Sequence, residues 1–482
     1  MINYAIIVRV LGILLLIIGM LMWTGIPFSW YFESDDLIAL FWSGFICITT
    51  GGMMWLLKLR NDRSVRKREG YLIVALGWLT MSLFGMLPYL LSGVIPGVPS
   101  AIFETVSGMT TTGASVLTDI EAQPPGILYW RSLTQWIGGM GIIVLTVAIF
   151  PLLGIGGVEL FVAEAPGPTS DKLHPRISET AKRLWLIYVG LTFVLTIILY
   201  LEGMTPYEAI NHALTTMATG GFSTRNASMA AFSPVIQYTI CVFMFIAGIN
   251  YTIIYFGLKG KLKRVWASEE FKTYFLVVLL ATIGTTLAVH HATPIGWEQA
   301  FRDSLFQIVS LVTTTGFVSA DYTAWSGGLT FFFFILLFVG ACAGSTSGGI
   351  KIVRHLVFFK NSMLEFKRIV HPRAIVPLRL NGETVRGRII THIIIFLLLY
   401  MLLFVLGSFV LTAMGLDFMT AVGAVATSLG NVGPGIGKVG PVDNFAWLSN
   451  EVKLFLSFLM LLGRLELFTI LVLFTPYFWQ AN

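Results

Sequence analysis

Ten stretches of about 20 apolar residues recur along this chain, each long enough to cross the hydrocarbon core of a bilayer as a helix. Two come first, near 4–24 and 37–57. The other eight form pairs: 71–93 with 128–152, 184–203 with 235–258, 272–290 with 328–355, and 388–415 with 451–476. Lipid offers no hydrogen bonds, so a spanning backbone must satisfy itself, and runs of this length do so as helices. Composition agrees: 12% of the 482 residues are charged, against about 25% in a soluble domain. Tyr4 to Trp23 resembles a signal peptide, but its apolar run is too long. No small-x-small cleavage site precedes Glu33-Ser34-Asp35-Asp36, so it reads as a retained helix. Cys47, Cys241 and Cys342 all sit in apolar runs and read as free thiols. The pair His290-His291 reads as a helix end rather than a metal site.

The net charge of +6 is not spread as a nucleic-acid-binding surface requires. Of 31 basic residues, 24 fall in four loops and their flanks, around 58–68, 172–183, 259–272 and 351–388. Such bias marks cytoplasmic loops, with contact to lipid headgroups as a secondary use. With the first cluster in the cytoplasm, stepping through the spans puts every later cluster on that side and both termini in the cytoplasm. A multi-pass membrane protein is expected, with no nucleic-acid partner.

Inside each pair, a short apolar stretch leads to a strip rich in hydroxyls and glycine. The strips are Thr110–Ser115, Ala218–Ser223, Thr313–Val318 and Thr427–Val432, and all four fall on the extracellular side. Each segment is too short to cross and return as two helices, so each reads as a re-entrant helix followed by an extended strip. Thr205-Pro206-Tyr207-Glu208 is a capping box with proline at the first helical position. Ser100, Thr293 and Asp417 are the expected caps of the others. Aligned on Gly113, Gly221, Gly316 and Gly430, the strips recur at intervals of 108, 95 and 114. The expected fold is an all-α polytopic membrane protein: two N-terminal transmembrane helices, then four helix–pore-loop–helix repeats with pseudo-fourfold symmetry around a central pore. The expected division is 1–69 for the two-helix domain, then repeats at 70–158, 159–265, 266–360 and 361–482.

Irregular backbone at membrane depth must be buried or line a wet cavity. Four strips meeting on one axis can turn carbonyl oxygens inward to replace the water shell of a cation. Glycine permits the backbone angles this needs, and the re-entrant helices aim their partly negative C-terminal ends at the same point. No carboxylate lies in the strips, which suits a monovalent cation better than a divalent one. The alternative is helix packing through small residues; four strips matched in side and topology argue against it. The candidate ion-binding residues are Thr111, Thr112 and Gly113; Thr219, Gly220 and Gly221; Thr314, Thr315 and Gly316; and Ser428, Leu429, Gly430 and Asn431.

Two more features lie within the spans. Arg464 sits in the last one, where a charge costs about 2.5–3.5 kcal/mol. It reads either as a structural ion pair or as a positive charge facing the pore. The run Ala343–Lys351, with Gly344, Ser345, Thr346, Ser347, Gly348 and Gly349, interrupts what would otherwise be one long helix. It reads either as close packing or as an intramembrane loop. Its Gly-Ser-Thr-Ser-Gly core is not GxSxG, and Gly433–Lys438 is followed by Val439, so it is no Walker A loop. No enzyme is expected.

These strips, the run 343–351 and the segment Gly463-Arg464-Leu465-Glu466-Leu467-Phe468 resemble the Trk/Ktr/HKT superfamily of potassium transporters over essentially the whole chain. The resemblance implies a protein of a bacterial cell inner membrane, a single-glycine selectivity filter with potassium as the transported ion, no covalently bound cofactor, and a homodimer with one pore per subunit. It implies a gate built from Gly344 to Gly349, Lys351 and Arg464. It also implies a cytoplasmic nucleotide-binding regulatory subunit of the TrkA kind, with loops 154–183 and 356–387 as candidate docking surfaces. A symporter coupled to protons or sodium is the alternative mechanism.

Overall fold

Helices dominate the computed structural model, which describes residues 2–57, 67–152, 177–374 and 376–480. The basic residues Lys58, Arg60, Arg63, Arg66, Lys172 and Arg176, and most of loop 154–183, lie outside the described residues. The N-terminal pair, Tyr4–Trp23 and Leu37–Leu56, packs backbone to backbone. A Cβ on Gly12 would lie 2.8 Å from the Gly51 carbonyl oxygen, and one on Gly19 2.7 Å from that of Gly44. Such contact through small residues is how helices associate where no hydrophobic force drives them together.

Four units follow, each with an outer helix, a re-entrant helix, a strip and an inner helix. The outer helices are Lys67–Gly85, continued by Leu87–Leu91, then Ile177–Leu201, Glu269–Ala292 and Gly387–Ala413. The re-entrant helices are Val98–Met109, Pro206–Met217, Trp297–Val312 and Phe418–Gly430. Their 12, 12, 16 and 13 residues make them about 18–24 Å long, short of a hydrocarbon core of about 30 Å. The expected capping box at Thr205 and Glu208 is present, and the Asp417 carboxylate accepts from the Thr420 amide at 3.1 Å. Two caps differ from expectation. Gly97 and Gly296 precede the first and third re-entrant helices, Ser100 lies inside the first, and Thr293 ends the preceding outer helix with its hydroxyl on the Val289 carbonyl.

The inner helices are not the continuous spans the sequence suggests. The first, Pro125–Leu152, has non-helical backbone at Gly141. The second bends by 108° between Pro234–Ala247 and Tyr251–Leu258, and the fourth by 108° between Asn450–Arg464 and Phe468–Phe474. The third stops at Leu336 and resumes only at Ile352, with the run 343–351 in the gap. Among the described residues, six helices are long and apolar enough to cross a membrane, or eight if each bent pair counts as one span. The glycine-rich run 343–351 predicted the break in the third, whereas apolar composition gave no sign of those in the first, second and fourth. His290 and His291 do close a helix, Glu269–Ala292, with His290 stacked on Trp297.

Candidate functional site

The same turn ends every re-entrant helix. The amides of Thr112, Gly220, Thr315 and Val432 donate to the carbonyls of Ser107, Thr215, Ser310 and Thr427 at 2.8, 2.9, 2.8 and 3.1 Å. Each turn passes through a left-handed residue: Thr111, Thr219, Thr314 and Asn431, with φ of 53°, 52°, 55° and 52°. Two residues later comes a second positive φ, of 83°, 78°, 80° and 99°, at Gly113, Gly221, Gly316 and Gly433. Threonine carries a cost in this region that asparagine and glycine largely avoid.

This fixes the register of the fourth strip and corrects the sequence alignment. Gly433, not Gly430, corresponds to the other three glycines. Ser428, Leu429 and Gly430 belong to the re-entrant helix, and only Asn431 among the four expected residues lies beyond it, at the left-handed turn that opens the strip. The spacing that holds is a left-handed residue, any residue, then glycine, which Asn431-Val432-Gly433 satisfies.

The four glycines close a ring. A Cβ on Gly113 would lie 2.3 Å from the Gly220 oxygen, on Gly221 2.0 Å from that of Thr315, on Gly316 2.0 Å from that of Val432, and on Gly433 2.7 Å from that of Thr112. Each strip thus packs its glycine on the carbonyl that precedes the glycine of the next, and the fourth returns to the first. Gly113, Gly221, Gly316 and Gly433 all line one cavity of ≈190 Å³ on the exit side of the strips. Arg131 and Arg225 also line it, each paired with a carboxylate: Arg131 with Glu104 at 2.7 Å, Arg225 with Glu208 at 2.7 Å. Inner helices come close behind the ring: a Cβ on Gly138 would overlap the Met109 oxygen, and one on Gly463 would lie 2.1 Å from that of Leu429.

Side chains hold the strips unequally. In the first and third, hydroxyl pairs Thr110–Thr112 and Thr313–Thr315 lie 2.7 Å apart, and Ser107 and Ser310 donate to the carbonyls of Ala114 and Phe317 at 2.6 and 2.7 Å. In the fourth, Asn431 Nδ2 donates to Thr112 Oγ1 at 3.0 Å and to the Met460 carbonyl at 2.9 Å.

The run 343–351 lies against the inner ends of the strips. Its Gly348 amide donates to Thr314 Oγ1 at 2.6 Å, and Thr219 Oγ1 reaches Thr346 Oγ1 at 3.3 Å. The breaks of neighbouring helices also hold it, through Cys342 N on the Gly248 carbonyl and Tyr251 N on that of Gly344, both 3.1 Å. Lys351 folds back on the Ser347 carbonyl and, at 2.9 Å, on its hydroxyl. Arg464 donates to the Thr346 carbonyl at 2.9 Å and to those of Gly138 and Gly139 at 2.6 and 3.2 Å. Glu466, in the break beside it, pairs with Arg354. The expected candidates Gly344 to Gly349, Lys351 and Arg464 therefore share one layer beneath the ring.

The overall shape is that of a known transporter. Over 99% of this chain and all of the other, the crystal structure of the potassium transporter TrkH from Vibrio parahaemolyticus matches with a TM-score of 0.89 at 36% identity. A family model, TrkH, described as cation transport protein, matches residues 37–481. The chain belongs to the TrkH family. The Trk system potassium uptake protein TrkH of Salmonella typhimurium is 40% identical over 442 residues, 90% of this chain and 91% of that protein. Its Vibrio parahaemolyticus counterpart is 38% identical over 482 residues, 98% of this chain and 99% of the relative. As in the rest of the TrkH family, the chain is a multi-pass membrane protein built on this helical plan.

Proposed function

We propose that this chain is the ion-conducting membrane subunit of a Trk-type potassium-uptake system, and that its four strips form the selectivity filter. The observation that carries the reading is the closed ring, in which each glycine meets the carbonyl of the next strip and Gly433 returns to Thr112. Such a ring presents backbone oxygens at one level, which is what stripping a cation of water requires. The names of the relatives, potassium uptake proteins of Trk systems, support potassium as the cargo. The filter residues are Thr111, Thr112, Gly113, Thr219, Gly220, Gly221, Thr314, Thr315 and Gly316, with Asn431, Val432 and Gly433 in the fourth repeat.

The gate in this reading is the layer beneath. Arg464 ties Thr346 to Gly138 and Gly139 of the first inner helix, so one guanidinium links the loop to that helix just before its break at Gly141. The functional units follow the division 1–69, 70–158, 159–265, 266–360 and 361–482. The working assembly is a homodimer in the cell inner membrane, termini in the cytoplasm, regulated by a nucleotide-binding subunit docked on the basic loops.

Rubidium uptake into proteoliposomes tests this. Uptake that follows the rubidium gradient alone, and exceeds that of sodium, is expected. Uptake that requires a proton or sodium gradient replaces the channel by the symporter, and no uptake at all overturns the reading.

A further inference from the structure

The second strip lacks the internal bracing of the first and third. Ala218 and Gly220 stand where those strips have paired threonine hydroxyls, and the Thr215 hydroxyl, the counterpart of Ser107 and Ser310, bonds to Asn211 O at 3.1 Å instead. The dipeptide Gly220-Gly221 is also the least restrained backbone of the ring, since glycine rotates its peptide planes at little cost. Yet it carries the oxygen against which Gly113 packs.

The support comes from another repeat. Gln135, fully buried on the first inner helix, donates from Nε2 to the Gly220 oxygen at 2.6 Å and accepts at Oε1 from the Phe222 amide at 3.0 Å. One amide thus holds a carbonyl and an N–H two residues apart, as a neighbouring β-strand would. Arg131, one turn earlier, donates to the Ser223 carbonyl at 3.1 Å, and its guanidinium lies 3.5 Å from the centre of the Phe222 ring. Glu104 fixes that arginine at 2.7 Å and accepts from the Val116 amide at 2.8 Å and the Ser115 hydroxyl at 2.9 Å. Glu104, Arg131 and Gln135 therefore form one buried chain from the exit of the first strip along the whole of the second.

We infer that Gln135, seconded by the Arg131–Glu104 pair, is a positioning residue for ion selectivity, holding the Gly220 carbonyl in the ring as the threonine hydroxyls hold the first and third strips. The inference rests on the filter reading above. An apolar side chain at 135 frees the Gly220-Gly221 peptide plane, and the seam between the first and second strips no longer keeps its oxygen spacing. An ion too small for the intended spacing is then rejected less well.

The test compares rubidium and sodium uptake by the full-length protein in proteoliposomes for wild type, Gln135→Met and Gln135→Glu. Losing two buried hydrogen bonds to the strip lowers the rubidium-to-sodium ratio of Gln135→Met by about tenfold. Gln135→Glu keeps the acceptor for Phe222 but sets a carboxylate against the Gly220 oxygen. Its ratio falls as the pH is raised until the carboxyl ionises and recovers in acid, when the protonated carboxyl supplies the missing donor. That recovery is a signature a merely structural role does not give, and it remains measurable if Gln135→Met is too unstable to reconstitute. A wild type that does not conduct rubidium overturns the filter reading itself. A selective wild type whose ratio is unchanged by either substitution, or falls in Gln135→Glu without recovering in acid, overturns the inference.

Discussion

The ring of strips and the layer beneath it are made by the same four repeats, yet they differ in symmetry. In the ring, four dissimilar sequences reach one backbone geometry, with left-handed residues at Thr111, Thr219, Thr314 and Asn431 and glycines two places on. In the layer beneath, every inner helix is interrupted, but each differently: a kink at Gly141, a bend at 248–250, the loop 343–351, and a bend at 465–467 that carries Glu466 and Leu467 at positive φ. Charged side chains gather there from single repeats, Arg464 from the fourth and Lys351 and Arg354 from the third. Where oxygens must surround one ion, equivalence is carried by the main chain and tolerates side-chain drift. Where a path is to be opened or closed, one specialised contact suffices and symmetry is not needed.

The strongest way to break that contrast is to put a side chain into the ring. Gly316→Ala adds a Cβ 2.0 Å from the Val432 oxygen at a φ of 80°. The left-handed conformation costs about 1–2 kcal/mol, and overpacking adds about 1–3 kcal/mol. Rubidium uptake falls about a hundredfold, at 1.4 kcal/mol per factor of ten. Gly113→Ser meets the Gly220 oxygen at 2.3 Å, and a shift of selectivity toward sodium is expected along with lost flux. Uptake ratios close to wild type in both would remove the ring from the conduction path.

The layer beneath answers in the opposite direction. Arg464→Ala removes three hydrogen bonds that join Thr346 to the first inner helix, and with them a positive charge below the ring. Rubidium uptake rises, by about tenfold if the restraint is worth one charge-assisted hydrogen bond. Deleting 344–349 has the same sign. No gain in uptake from either change would overturn the proposed gate and leave the layer as scaffolding. Smaller still is the effect that checks the register of the fourth strip: Gly433→Ala changes the rubidium-to-sodium ratio, while Ser428→Ala, inside the helix, leaves it within about twofold. The reverse result would restore Gly430 as the filter glycine.

Much of this contrast is legible in the sequence. Repeated apolar pairs predicted the four units, proline and threonine chemistry placed the second re-entrant helix, and Arg464 and the 343–351 run stood out as charge and glycine within a span. What escaped depended on partners distant in sequence. Leu465-Glu466-Leu467 contains neither proline nor glycine, and its bend accompanies the pairing of Glu466 with Arg354, more than a hundred residues away. Gln135 looks like a polar residue in a helix until the fold sets it against Gly220. The fourth strip is misaligned in sequence because two glycines, Gly430 and Gly433, lie three residues apart there, and only the backbone shows which of them has the positive φ. The geometry selects for φ, and asparagine supplies that as well as threonine does.

The smallest effect belongs to the exposed stitching outside the ring, where the exits of the first and second strips meet. Asn226 Nδ2 donates to Asp119 at 3.0 Å, and the Asn226 side-chain oxygen accepts from the Ile120 amide at 2.7 Å. The Asn226 bond, with the Ala122 amide, holds the Asp119 carboxyl below its ordinary value. A carboxylate with a lowered folded-state pKa stabilises above its unfolded value of about 3.9 and loses that contribution as pH falls through the folded one. Asp119→Asn should therefore lower the melting temperature in detergent slightly at pH 7, with the gap to wild type closing below about pH 4. Its rubidium-to-sodium ratio should match wild type throughout, because the side chain is fully exposed and the ring is held by Gln135, Asn431 and the buried hydroxyls instead. A ratio that followed Asp119 would mean that surface charge reaches the filter geometry, and the division between a main-chain ring and its side-chain surroundings would fail at its outer edge.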